Sequence, residues 1–313
     1  MADTTSTTYT TNYSDTMKDD ILDTITNIDP TNTPFMSAIG KTKATSTYHQ
    51  WPVDSLDTPA NNKQIEGADL DASEIAPPTL AGNYTQISAK EFRISDTSER
   101  VKKYGRKSEI AYQTAKKLKE LSRDMEKALV NNATSASGDS GIARQLKGVE
   151  GFVSTNDNTF GAYANTNALT EELFNDTMQL AWEQGGDVDM VLAPPKVKRA
   201  ISAFDGYNTL TKDISAKSKK VVAKVDFYEG DFGSVAVIPH RWIDQYDSGT
   251  DLYDTLYMVQ KDLWKLATLG PVKTEKLART GMSQPVLIST EYTLECRAEE
   301  GNAKMGGIHN SAK

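Results

Sequence analysis

The chain has 313 residues, 25% of them charged and 38% hydrophobic, with a mean hydropathy of −0.53 and a formal net charge of −8. That length suffices for a sizeable core in two lobes, and the acidic balance argues against a protein whose main task is gripping nucleic acid, where a basic domain is expected. A lone Cys296 rules out a disulfide framework or zinc cluster within the chain, and no apolar run reaches the 18 residues of a membrane-spanning helix.

Residues 1–16 hold seven threonines and no lysine or arginine. Such a tract cannot bury enough apolar surface to order itself, and with no basic or apolar stretch it is no secretion signal. A product made in a reducing cytoplasm, with no membrane partner, is the expectation. Next, Met17, Ile21, Leu22, Ile25 and Ile28 recur at helical spacing before Asp29-Pro30 ends the pattern. A short amphipathic helix behind a polar tail reads as an arm that needs a surface to lie on.

Residues 43–53 (KATSTYHQWPV) and 84–95 (YTQISAKEFRIS) are rich in β-formers and read as two strands. The thirty residues between them, 54–83, carry Pro59, Pro77 and Pro78 and no aromatic residue. A connection of that length is out of place inside a compact domain but suits an extended hairpin that touches a neighbour. Residues 105–131 form the clearest helix, with Ala111, Ala115, Leu118, Leu121, Met125 and Leu129 in one stripe and charges of both signs opposite. At ~1.5 Å per residue it would be about 40 Å long.

A different texture follows. Thr170 can cap a helix over 171–184 that Gly185-Gly186 stops. MVLAPP (190–195) is a buried-type strand, and 196–204 a short helix. Two strand-like runs bracket Asp231-Phe232-Gly233 as a hairpin; 254–260 and 263–270 are short strands, and 284–299 is a long one. The fold class read from this order is α+β.

Several words occur in fixed order: TPFMSAIGK (33–41), KATSTYHQWPVDSL (43–56), IEGAD (65–69), NYTQI (83–87), GRKSEIAYQTAKKLKELSRDMEKAL (105–129), ISAF (201–204), VDFYEGDFGSVAVIPHRW (225–242) and EYTLECRAEEGNAKMGGI (291–308). In these, over residues 17–308, the chain resembles major capsid proteins of tailed double-stranded DNA phages with the Hong Kong 97-type fold, in a short-arm subgroup. The resemblance implies an N-terminal arm (1–41), an extended loop lying over an adjacent subunit (42–95), and a peripheral domain with a spine helix (96–149). It further implies an axial domain (150–282), then a return strand and tail (283–313). It implies self-assembly into pentameric and hexameric capsomers of an icosahedral or prolate shell, made in the host cytoplasm. A separate scaffolding protein, a portal, packaged DNA held non-specifically and a possible decoration protein would be partners. No cofactor and no reaction are implied.

Enzyme readings are weaker. Gly138-Asp139-Ser140-Gly141 matches a serine-protease word, but a nucleophilic Ser140 needs a histidine base within reach, and His49, His240 and His309 stand in no such context. A serine hydrolase remains the alternative from another class, and a nanocompartment shell the alternative within this one. The histidines are too scattered for a metal site, and the adjacent acid pairs read as solvated surface.

One charge pattern is informative. Residues 101–130 hold nine basic and four acidic side chains, net +5, whereas the loop 54–83 holds six acids and one lysine, net −5. Two surfaces that never meet would explain this. Alternatively, one subunit's loop lies near the next subunit's helix, and complementary fields set the register of assembly. The candidate assembly contacts are Trp51, Lys63, Glu66, Asp69 and Asp71 on the loop, and Lys102, Lys103, Arg106 and Lys107 on the basic side. The basic helix could instead face DNA phosphates.

Overall fold

A computed structural model of the chain describes residues 30–56, 59–67, 77–164, 166–204, 226–279 and 281–309. The arm helix expected at 17–28 lies outside the described residues, as do Asp69 and Asp71.

The first sheet has four strands. Strand β1 (Gly40–Lys43) runs parallel to β10 (Trp264–Lys276), which pairs antiparallel with β11 (Ser283–Cys296), and β11 pairs antiparallel with β4 (Gln86–Ser95). A short helix, α1 (Pro34–Ala38), leads into β1. The long helix α3 (Glu109–Asn131) lies on this sheet, with Leu121, Met125 and Leu129 packed in one core with Ile288, Tyr292 and Leu294 of β11. Each such buried aliphatic side chain contributes roughly 1.5–3 kcal/mol. The apolar stripe read from the sequence holds only for the C-terminal half of α3, because Ala111 and Ala115 are exposed. The N-terminal half runs beside the edge strand β4, where the sheet can cover only one of its sides.

Helix α3 starts four residues later than the sequence pattern predicts. Gly105, at φ +72°, turns the chain so that Lys103 and Arg106 face each other in an isolated bridge. Ser108 then caps the helix by accepting the Ala111 N–H at 3.2 Å. A short helix, α2 (Asp96–Arg100), precedes that turn.

The second sheet runs β12-β9-β5-β7-β6, with β8 (Tyr246–Asp247) pairing outside that path on β9. Its strands are β5 (Met190–Ala193), β6 (Phe227–Gly230), β7 (Gly233–Pro239), β9 (Leu252–Val259) and β12 (Ala303–His309). Both faces are covered. Met190, Leu192, Tyr257 and Val259 join the core under α3. Val191, Ala193, Leu256 and Met258 point the other way, to α5 (Glu171–Glu183) and α6 (Pro195–Ile201). Period-two alternation with both faces apolar is why these strands read as unbroken hydrophobic runs.

The sheets divide the chain differently from the expected domain map in two places. Residues 264–276, expected in the axial lobe, belong to the first sheet. Residues 303–309, expected in the tail, form β12 against β9. The run AKMGGIH has weak β propensity, so tertiary cover decides. Every residue of β12 is buried, and Gly301 just before it lies so close to Gly186 that a β-carbon on Gly186 would come within 2.4 Å of the Gly301 backbone.

Candidate functional site

The feature that positions surface for a partner is a hairpin standing on the first sheet. Strand β2 (Tyr48–Val53) pairs with β3 (Thr79–Tyr84), from Tyr48 opposite Tyr84 to Val53 opposite Thr79. The expected second leg, 84–95, is instead β4 of the first sheet. The true leg is TLAGNY, hidden in the sequence by its Gly82 and the prolines before it. At Gly82 the end of the Tyr48 ring lies over the backbone, where a β-carbon would meet it at 2.7 Å.

The root of the hairpin is bolted down. Asn83, 1% exposed, accepts the Lys147 N–H at 2.8 Å and donates to the carbonyls of Lys147 and Leu294, each at 2.9 Å. Thr293 donates its hydroxyl to the Tyr84 carbonyl at 2.8 Å, and His49 meets Glu295 at 3.2 Å. Trp51 stacks into an aromatic series: 6.2 Å to Phe152 of α4 (Val149–Phe152), 5.9 Å on to Trp264, and 5.9 Å on to Phe35. Trp51 is thus 6% exposed within its own chain. Its expected role as a contact to a neighbour is corrected: β-alternation turns it inward, and it fixes the hairpin root.

The outer part of the hairpin is the reverse. Leu56 is 98% and Ile65 82% exposed, and Leu80 is exposed as well. Lys63 and Glu66 stand exposed beside them. No described residue covers these apolar side chains, so the tip ends in surface suited to a partner.

The basic side splits in two. Lys103 donates to Glu109 at 2.8 Å and to Ser98 at 2.7 Å, and Arg106 also binds Glu109. The Lys103 bond, then those of Gln113 and Arg106, holds the Glu109 carboxyl down at about 2. Lys103 and Arg106 therefore serve their own fold, while Lys102 and Lys107 are exposed, with no ion pair among the described residues. Glu99 anchors the same region. It accepts the Ser108 hydroxyl at 2.6 Å and the N–H groups of Glu109 and Ile110 at 2.9 and 3.2 Å, and these bonds, the Ser108 one foremost, lower its pKa. A carboxylate at a helix N-terminus is favoured by the aligned peptide dipoles.

A second anchor joins α1 to α3 and to the end of β7. Glu126 on α3 is fully buried and accepts the N–H groups of Phe35 and Met36 at 2.7 and 2.8 Å, with His240 Nε2 at 2.9 Å. His240 Nδ1 accepts the Trp242 N–H at 3.2 Å, so Nε2 carries the proton and donates. Neither Asn83, Glu99 nor Glu126 was legible as a site residue, since their partners are remote in sequence.

Ser140 sits on an exposed turn in which Asp139 Oδ1 accepts its N–H. Among the described residues no histidine bonds to it: His49, His240 and His309 are engaged with Glu295, Glu126 and Asp251.

The profile of the SU10 major capsid protein family matches residues 2–309. The chain belongs to that family. The major capsid protein of Escherichia phage Phieco32 is 26% identical over 319 residues, covering 86% of this chain and 88% of that protein. The fold is that of phage capsids of the Hong Kong 97 type. The capsid of an empty GTA particle matches at TM-score 0.63 and 13% identity over 93% of this chain and 95% of its own. The holo-SrpI encapsulin from Synechococcus elongatus matches at TM-score 0.57 and 11% identity, over 92% and 93%. At those identities the structural likenesses speak for the fold alone, whereas the family match also carries function: this is a major capsid protein, a component of the phage shell.

Proposed function

We propose that the hairpin tip is the clasp by which this capsid subunit holds the next one, and that the shell closes through many such weak, symmetric contacts. The membership of residues 2–309 in a capsid family carries the shell function. The exposed Leu56 and Ile65, on a hairpin whose root is rigid, support the clasp. In this reading the first sheet with α3 is the peripheral domain, the second sheet the axial domain, and capsomers are pentamers and hexamers. Glu66, Asp69 and Asp71 approach Lys102 and Lys107 of the neighbour, leaving Lys103 and Arg106 in their internal network. A separate scaffolding protein guides assembly in the host cytoplasm, a portal occupies one vertex, DNA is enclosed without specific contacts, and a decoration protein is compatible with the outer surface.

The test is carbodiimide coupling in particles assembled from equal amounts of 15N-labelled and unlabelled subunits. The expected result is amide links between tip carboxylates and Lys102 or Lys107 in mixed-isotope peptide pairs. Links confined to single-isotope pairs would mean that the hairpin folds onto its own subunit. Purified particles that hold an enzyme cargo and no DNA would favour a nanocompartment.

A further inference from the structure

Residues 101–130 hold nine basic side chains, of which the clasp takes up only Lys102 and Lys107. Lys103 and Arg106 are neutralised by Glu109. Along α3 itself, Lys116, Lys119, Arg123 and Lys127 follow one another at spacings of three, four and four, which puts them on one side of the helix. The buried Leu121, Met125 and Leu129 mark the opposite side. Lys119 and Lys127 are exposed, and Lys116 and Arg123 are half-buried. At ~1.5 Å per residue the row is about 17 Å long.

The acids beside the row are few, and each is already engaged. Glu120 binds Lys117 at 2.7 Å and feels the charge of Lys116 as well. Asp124 binds Lys90 of β4, and Asp244 binds Lys127 at 2.8 Å. Six cations thus stand among three acids on and beside this side of α3, although the chain as a whole carries −8. Lys119 has no ion pair among the described residues. Arg123 lies over the Trp242 ring at 5.5 Å, a contact that leaves its charge in place.

The row also lacks what a protein partner needs. Protein interfaces are anchored by large apolar or aromatic side chains, and no large apolar side chain of α3 is exposed. The hairpin tip, with Leu56 and Ile65, is a surface of that other kind. A phosphate backbone needs only charge. Each strand of duplex DNA presents one phosphate per ~3.4 Å of axis, so a row of this length meets phosphates whatever the base sequence.

We propose that this side of α3 faces the shell interior and touches the phosphate backbone of the enclosed DNA. Each subunit contributes a few sequence-independent contacts, weak singly and many over the whole wall. The inference rests on the reading of the shell as a container for DNA and assigns which side of the wall is the inner one.

Lysine acetylation footprinting of the full chain, mapped by mass spectrometry, tests it in three states: dispersed subunits, empty shells, and dispersed subunits with a random-sequence DNA duplex at low ionic strength. The duplex should protect Lys116, Lys119 and Lys127 and leave the exposed Lys63 and Lys276 reactive. Fluorescence anisotropy of the same duplex should give equal affinity for a shuffled sequence. Lys116→Gln with Lys119→Gln should flatten the slope of log affinity against log salt by about two, roughly 0.9 per lost contact, and Lys116→Arg with Lys119→Arg should keep it. Protection of the row already in empty shells would mean that another subunit covers it. Equal protection by polyglutamate would mean a site for acidic polypeptide. Either result overturns the proposal, as does a duplex that protects the row no better than Lys63 and Lys276, or a slope the glutamine variant leaves unchanged. Microscopy of the glutamine variant keeps the shell reading separate: it should still form shells, and their loss would show that the row serves assembly and overturn the proposal.

Discussion

Replacing Glu126 by alanine strands three donors at once, the buried N–H of Phe35 and Nε2–H of His240 and the partly buried N–H of Met36, at 2.7, 2.9 and 2.8 Å. A hydrogen bond to a charged group contributes about 1.5–3 kcal/mol, and removing one partner from a buried charged cluster costs about 3–5 kcal/mol overall, because the bonds are not additive. We expect a loss in that range for Glu126→Ala. Glu126→Gln keeps the volume and one acceptor oxygen but points its amide N–H at another donor, so it should lose less, on the order of 2 kcal/mol. His240 cannot relieve the conflict by changing tautomer, since a proton on Nδ1 would face the Trp242 N–H. Urea unfolding of dispersed subunits, followed by tryptophan fluorescence, measures the loss. Hydrogen exchange at Phe35 and Met36 shows whether α1 opens first. Glu126→Ala within 0.5 kcal/mol of the parent, or undiminished protection at both amides, would refute the reasoning.

Asn83→Ala leaves the Lys147 N–H and two carbonyls without their partner at the hairpin root, and should cost about 2–3 kcal/mol in the same unfolding assay with faster exchange across β2 and β3. Glu109 has its folded pKa depressed to about 2, so its contribution is present above the ordinary carboxylate value of about 4.5 and is lost as pH falls between the two. Glu109→Gln should flatten the acid limb of the stability curve in that window and leave the neutral-pH slope unchanged, as acid titration followed by circular dichroism would show. Lys63 is the only trypsin site between residues 54 and 83 and is exposed. Cleavage after it should be rapid in free subunits and at least about tenfold slower in shells, or ~1.4 kcal/mol of protection, read by mass spectrometry of the two fragments.

Much of the architecture was legible because it rests on periodicity. The Met190–Ala193 run, the Thr170-capped helix and the hairpin around Asp231-Phe232-Gly233 appear where the pattern placed them. The misread parts are those where tertiary cover decides. Strand β12 has no strong propensity and is held by what surrounds it. The leg Thr79–Tyr84 carries a glycine that a lone strand would avoid, and the end of the Tyr48 ring lies over it. Among the site residues, charge alone could not tell Lys103 and Arg106, neutralised by Glu109, from the exposed Lys102 and Lys107. Trp51 lies on the extended loop by sequence and is grouped there with the candidate contacts. Only the packing shows it closing an aromatic series that runs to Phe35.

The most direct test of the central claim is negative-stain microscopy with sedimentation velocity on the full chain, co-expressed with the separate scaffolding protein that the proposed function calls for. Capsomers and closed shells are expected, and introducing charge with Leu56→Asp and Ile65→Asp at the tip should abolish the shells while leaving folded subunits. A monodisperse monomer at high concentration with scaffold present, or shells formed normally by the tip variant, would contradict it.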